Sequence, residues 1–263
     1  MRVQHMLRLA GVTAAGILVL SACGDDGDGG GEYGLVQDGT LTVCSDVPYP
    51  PFEFEDADAP SGYSGFDMDL LQAIADNLDL EMTVEVVGFD PLQSGTVLAS
   101  GQCDIGASAM TITEERMANL DFSDPYYDSL QSLLVPVDSG VTSIDDITGT
   151  VGVQQGTTGE AFANENLPEG ASPEAYPGDA ELWTALQAGN IDAILQDFPV
   201  NDEHAQADEG YEIVDSFETD EQYGFAFAKD EKTELLEAVN EQLSALREDG
   251  TYDEIYDRYF SVD

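Results

Sequence analysis

The chain has 263 residues, with 54 acidic residues against 7 lysines and arginines and a formal net charge of −47. That sign excludes a nucleic-acid partner, because phosphate backbones are held by neutralising cations. The carboxylates read as a solvated surface suited to a salty medium, where a Debye length of ~3 Å at 1 M salt screens their repulsion; a halophilic or salt-tolerant source is expected.

Residues 1–22 read as an export signal: Arg2 and Arg8 flank a short basic region, and "LAGVTAAGILVL" is an apolar run too short to read as a membrane span. Removing them deletes two positive and no negative charges, which takes −47 to −49. The "LSAC" at 20–23 resembles the lipobox of bacterial lipoproteins, which implies acylation of Cys23 and a lipid anchor on the outer face of the cell membrane. Residues 23–36 are a flexible Gly/Asp-rich tether. No later stretch is long and apolar enough to cross a bilayer.

About 230 residues remain, enough for one large domain or two lobes. "TLTVCSD" reads as a strand and "GFDMDLLQAIADNL" as an amphipathic helix with Phe66, Leu70, Ile74 and Leu78 on one side. "EMTVEVVGF" is a strand, "PLQSGTVLASG" a short helix with a glycine stop, and "CDIGASAM" a strand. A second set begins at 149, and it echoes the first: "GTLTV" (39–43) matches "GTVGV" (149–153), and "LASGQCDI" (98–105) matches "LQAGNIDA" (186–193). Two α/β lobes of similar topology are expected, with "SDVPYPPF", "SAMTITEER", "QQGTTGE" and "QDFPVN" at the carboxyl ends of strands, where open α/β sheets bind ligands. The chain should cross between lobes near 122–135 and 218–230, forming a hinge, and close with two helices.

With Cys23 acylated, Cys44 and Cys103 remain, as a disulfide or as two buried thiols. His5 leaves with the signal and His204 stands alone, so neither a metal site nor a cofactor is expected.

Six stretches, "VCSDVPYPPFEF", "GYSGFDMDLLQAIADNL", "ASAMTITEERMANLDFSDPYY", "GVQQGTTGEAF", "LQAGNIDAILQDFP" and "EDGTYDEIYDRYF", resemble in that order the signature stretches of the family 3 extracellular solute-binding proteins, amino-acid receptors of ABC importers. The resemblance implies a type II periplasmic-binding fold of two lobes, 37–130 with 224–263 and 131–223, closing on a free amino acid and handing it, as a monomer, to a membrane permease. It identifies "TITEER" with the family's carboxylate clamp. Thr113 is a natural N-cap, Glu114 and Glu115 suit the first turn, and Arg116 would hold the α-carboxylate with added donors from the helix start. Thr111 and the backbone around Thr157 and Thr158 would complete that site, and Asp197 would accept the α-ammonium from the other lobe. Specificity is expected from Asp46, Tyr49, Phe89, Ser108, Gln154 and Gln196, with Ala109 beside Ser108 in the same cleft. A carboxylate in a closing pocket is costly unless paired. Asp46 therefore points to arginine, lysine, ornithine or histidine first, and glutamine second.

Two other classes share the fold by resemblance. One is an enzyme such as a cyclohexadienyl dehydratase, although the sequence carries no nucleophile elbow, zinc motif or phosphate loop. The other is a ligand-sensing module, which usually sits on a transmembrane chain.

Overall fold

The computed structural model describes residues 32–261. The expected export signal and Cys23 lie outside the described residues. The first half runs β1 (Thr40–Ser45), β2 (Phe54–Glu55), β3 (Tyr63–Ser64), α1 (Phe66–Asn77), β4 (Glu81–Val86), α2 (Phe89–Gln93), α3 (Thr96–Ala99), β5 (Ile105–Gly106), α4 (Glu114–Met117) and β6 (Leu120–Phe122). The second runs β7 (Tyr127–Pro136), β8 (Gly149–Gln154), α5 (Thr158–Asn166), β9 (Ala171–Tyr176), α6 (Asp179–Gln187), β10 (Ala193–Asp197), α7 (Phe198–Ala207) and β11 (Tyr211–Tyr223). The chain then returns through β12 (Ala226–Ala228) and ends in α8 (Thr233–Asp249) and α9 (Thr251–Phe260).

Two five-stranded sheets carry the molecule, in the orders β4-β1-β5-β12-β6 and β9-β8-β10-β7-β11. They are the same sheet built twice. In each, the second strand pairs in parallel with the first and third, and the last two join antiparallel. β1 and β8 hold equivalent places, as do β5 and β10, which is where the two sequence echoes fall. The fourth strand of each sheet, β12 or β7, is reached just after the chain has left the other sheet.

Both sheets are covered on two faces. In the first lobe Leu41 and Val43 pack with Leu70, Ile74, Val239 and Leu243 from α1 and α8, while Leu92 and Leu98 close the other side. In the second, Leu133, Val151, Val153 and Leu195 face α5, and Leu134 and Ile194 face α6. Strand alternation produces this sorting, since successive side chains point to opposite faces.

Two expected elements are corrected. "PLQSGTVLASG" is not one helix: Gly95 at φ 80° breaks it into α2 and α3, and a Cβ there would lie 3.1 Å from the Asn119 carbonyl oxygen. "CDIGASAM" gives only a two-residue strand, because the backbone kinks at Ala109, φ 44°, and past it pairs again only through an isolated bridge of Thr111 with Tyr223. Cys44 and Cys103 form a disulfide with their Cα atoms 5.8 Å apart, tying β1 to the segment entering β5. No helix among the described residues is long and apolar enough to cross a membrane.

Candidate ligand-binding site

A small cavity lies between the lobes, lined by Asp46, Tyr49, Phe89, Ser108, Ala109, Thr111 and Arg116 from the first and Gln154, Thr157, Thr158 and Asp197 from the second. Those are eleven of the twelve ligand-site residues expected from sequence. The exception is Gln196. Alternation along β10 puts it on the Ile194 face, where its amide donates to Asp179 Oδ1 at 2.9 Å and Asn201 Oδ1 at 3.1 Å, away from the cavity.

The carboxylate end is built around Arg116. Thr113 caps α4, its Oγ1 accepting from the Arg116 N–H at 3.1 Å, but α4 is a single turn, so the guanidinium and not a helix dipole supplies the charge. Arg116 is 5% exposed and stacks 5.1 Å over the Phe89 ring. Nη1 donates to the Thr111 carbonyl at 2.7 Å and Nη2 to the Gly156 carbonyl at 3.0 Å. Lys229, Lys232 and Arg258 sit in ion pairs with Asp121, Asp104 and Asp69, and Arg247 is exposed. Arg116 alone among the described cations is buried with no carboxylate within 4 Å. Burial lowers its pKa to about 10, against the pull of Asp197 and Glu221, so it stays charged at neutral pH. A buried charge is costly unless it meets its opposite.

Asp197 stands at the end of β10 in the facing lobe. Its Oδ2 accepts from Tyr49 Oη at 2.9 Å and its Oδ1 from Gln131 Nε2 at 2.5 Å. Burial, with the neighbouring Glu221 carboxylate, pushes its pKa up to about 7 despite those bonds. An ammonium placed here would offset that penalty. At the third corner Asp46 is half-buried, accepts from Gln154 Nε2 at 2.5 Å, and is raised to about 6, mainly by burial.

The lobes are already in contact through Tyr49 to Asp197, Arg116 to Gly156 and Gln154 to Asp46. Gly156 has φ +79°, and a Cβ on it would come within 3.1 Å of Gln93 Nε2 in the first lobe. Beneath the cavity, Glu53 and Asp67 are fully buried acids. Glu53 Oε1 accepts from Ser108 Oγ at 2.5 Å, and Asp67 Oδ2 from the N–H of Ala109, which is held at φ 44°. Burial raises both carboxyl pKa values, Asp67 to about 7.

Sequence reasoning missed Gln131, Glu221, Glu53 and Asp67. A glutamine inside the apolar "SLQSLLV" is a signal that was legible; a glutamate among many acids in "ETDEQY" is not.

Residues 41–262 match the model of the bacterial extracellular solute-binding proteins, family 3. The chain belongs to that family. A probable histidine-binding protein of Neisseria gonorrhoeae is 33% identical over 96% of this chain and 95% of its own length. The ABC transporter glutamine-binding protein GlnH of Bacillus subtilis is 31% identical over 99% and 98%. The solved arginine-, lysine-, histidine-binding protein ArtJ of Geobacillus stearothermophilus superposes with a TM-score of 0.76 at 31% identity, covering 85% of this chain and 96% of that one. For a family 3 solute-binding protein, the interlobe cavity is the site where function has to be sought.

Proposed function

We propose that this protein is the substrate-binding component of an ABC importer, anchored outside the cell membrane by a lipid on Cys23 and acting as a monomer. Its cargo is a free amino acid with a polar side chain. The single observation that carries this reading is the pairing of a buried guanidinium lacking a carboxylate partner, Arg116, with a buried carboxyl group, Asp197, across one small cavity. A zwitterion satisfies both, and it bridges two lobes, so it favours the closed form over an open one.

Asp46 selects the side chain. Its carboxyl is raised to about 6 by burial, with Glu181 and Asp179 adding negative charge nearby, so a cationic group there is stabilised and an acidic one repelled. Arginine, lysine, ornithine or histidine rank first, and glutamine second as a donor of neutral hydrogen bonds. The relatives named above carry histidine, glutamine and arginine in their names, which supports the same range. The protein acts as a carrier and not a catalyst, so bound amino acid is recovered unchanged after incubation.

A thermal-shift screen of the twenty amino acids and ornithine, run in high salt, tests the proposal. Ligand at about 100 times its dissociation constant adds ~2.7 kcal/mol. The largest shifts are expected with the cationic amino acids; no shift with any of the set overturns the reading.

A further inference from the structure

Glu221 is a buried carboxylate, 7% exposed, with no lysine, arginine or histidine in ion-pair distance among the described residues. It accepts from Thr111 Oγ1 at 2.6 Å in the first lobe and from Thr158 Oγ1 at 2.7 Å in the second. Gln131 Nε2 at 3.0 Å and Thr219 Oγ1 at 2.8 Å complete its set. The crossing strand is shaped for this. Between Phe217 and Glu221, β11 advances four residues while its partner β7 advances two, from Gln131 to Ser129, and Asp220 takes φ 53°. Bulges of this kind re-aim side chains next to functional sites.

We propose that Glu221 sets the hydrogen-bond polarity of the cavity: it takes the hydroxyl protons of Thr111 and Thr158, so that both oxygens meet the ligand as acceptors. A hydroxyl has one proton to give and lone pairs to spare. With that proton committed to Glu221, Thr111 has none for a carboxylate, contrary to the role expected of it from sequence. The two oxygens therefore join Asp197 in recognising the α-ammonium, and the α-carboxylate is left to Arg116 and the backbone. Glu221 is thus a positioning residue that acts through two threonines. The inference rests on the amino-acid reading above, and extends it to a residue outside the cavity wall.

The test is Glu221→Gln in the full-length protein. Gln131 Nε2 is held by Asp197 at 2.5 Å, so the introduced amide turns its oxygen to Gln131 and its nitrogen to the threonines. That reverses both hydroxyls into donors toward the cavity. Calorimetric titration uses two pairs of probes, L-arginine with 5-guanidinopentanoate and L-glutamine with glutaramate, the second of each lacking only the α-ammonium. The amino acid that binds the wild type is expected to bind the variant about tenfold more weakly or worse, while its des-amino partner keeps its affinity or gains. Thr111→Val, which removes the acceptor and leaves the Glu221 side chain in place, should show the same selective loss, and Thr111→Ser, which keeps the hydroxyl, should retain binding. Equal losses for both members of a pair, or unchanged affinity for the amino acid in either variant, overturn the inference alone. Where the wild type binds neither, the pair is made from the amino acid that the thermal-shift screen selects; failure to bind any amino acid of that screen overturns the amino-acid reading and this inference together.

Discussion

Arg116 shows how much a residue's setting can add to its identity. Any of the five cations after residue 22 could pair with one of 54 acids, yet the one placed in the cleft is the one left unpaired and buried. Its position was legible because "TITEER" resembles the family's carboxylate clamp, in which the capping threonine and the arginine come together. Asp197 was legible from the resemblance of "LQDFP" to the family's motif, which sets it just after an apolar strand. Gln196 was misread because adjacent strand residues face opposite ways, and no local pattern says which of two polar neighbours points inward. Glu221 was illegible for a related reason: apart from Thr219, its partners lie at least 63 residues away in sequence. At Asp197 the chemistry makes a pH prediction. Its pKa is about 7 in the ligand-free protein, and a bound ammonium holds it ionised, so binding expels a proton below that pH. Affinity for the amino acid is expected to fall by about tenfold per unit as pH drops below about 7, measured by titration calorimetry in buffers of different ionisation enthalpy. Flat affinity and no proton release between pH 5 and pH 7 would contradict this role.

Among the elements, the repeated sheet was the best-marked feature of the sequence. Short echoes at β1 and β8, and at the entries to β5 and β10, matched because equivalent strands face the same packing on both sides. The helix break at Gly95 was not marked, since a glycine inside a helical pattern is costly but tolerated, and the break comes from its left-handed backbone, φ 80°. The bulge before Glu221 was equally unmarked, because pairing register is set by the partner strand. The disulfide is the strongest single constraint on the first lobe. It spans 59 residues, and closing a loop of that length removes about 4 kcal/mol of unfolded-state entropy. Replacing Cys44 and Cys103 by serine should lower the melting temperature by roughly 10 °C without abolishing ligand binding, as followed by calorimetry and titration of the same sample. A melting temperature unchanged by the replacement would show that the bridge does not hold the lobe.

For the whole molecule, closure and charge act together. The cleft gathers carboxyl groups whose pKa values are raised by burial: Asp46 to about 6, Asp67 and Asp197 to about 7, and Glu53 upward as well. The unfolded chain releases these protons near the ordinary carboxylate range. Between about pH 4 and pH 7 the folded state therefore binds more protons than the unfolded one, and stability falls as pH rises. Repulsion among the surface acids pushes the same way and is relieved by salt. Ligand-free protein should melt higher at pH 5 than at pH 8, with the gap narrowing in Asp67→Asn; the reverse order in a differential scanning series would contradict the burial account.

The two-lobe account stands on a cation and an anion contributed by different halves of one chain. Titrating L-arginine into the full-length protein and into Arg116→Ala decides it. Loss of affinity by about a hundredfold or more is the predicted result, because a charge-assisted contact to the carboxylate and the closure it stabilises disappear together. An alanine variant that binds within about threefold of the wild type would mean that the guanidinium does not hold the ligand and that the cleft works by another principle.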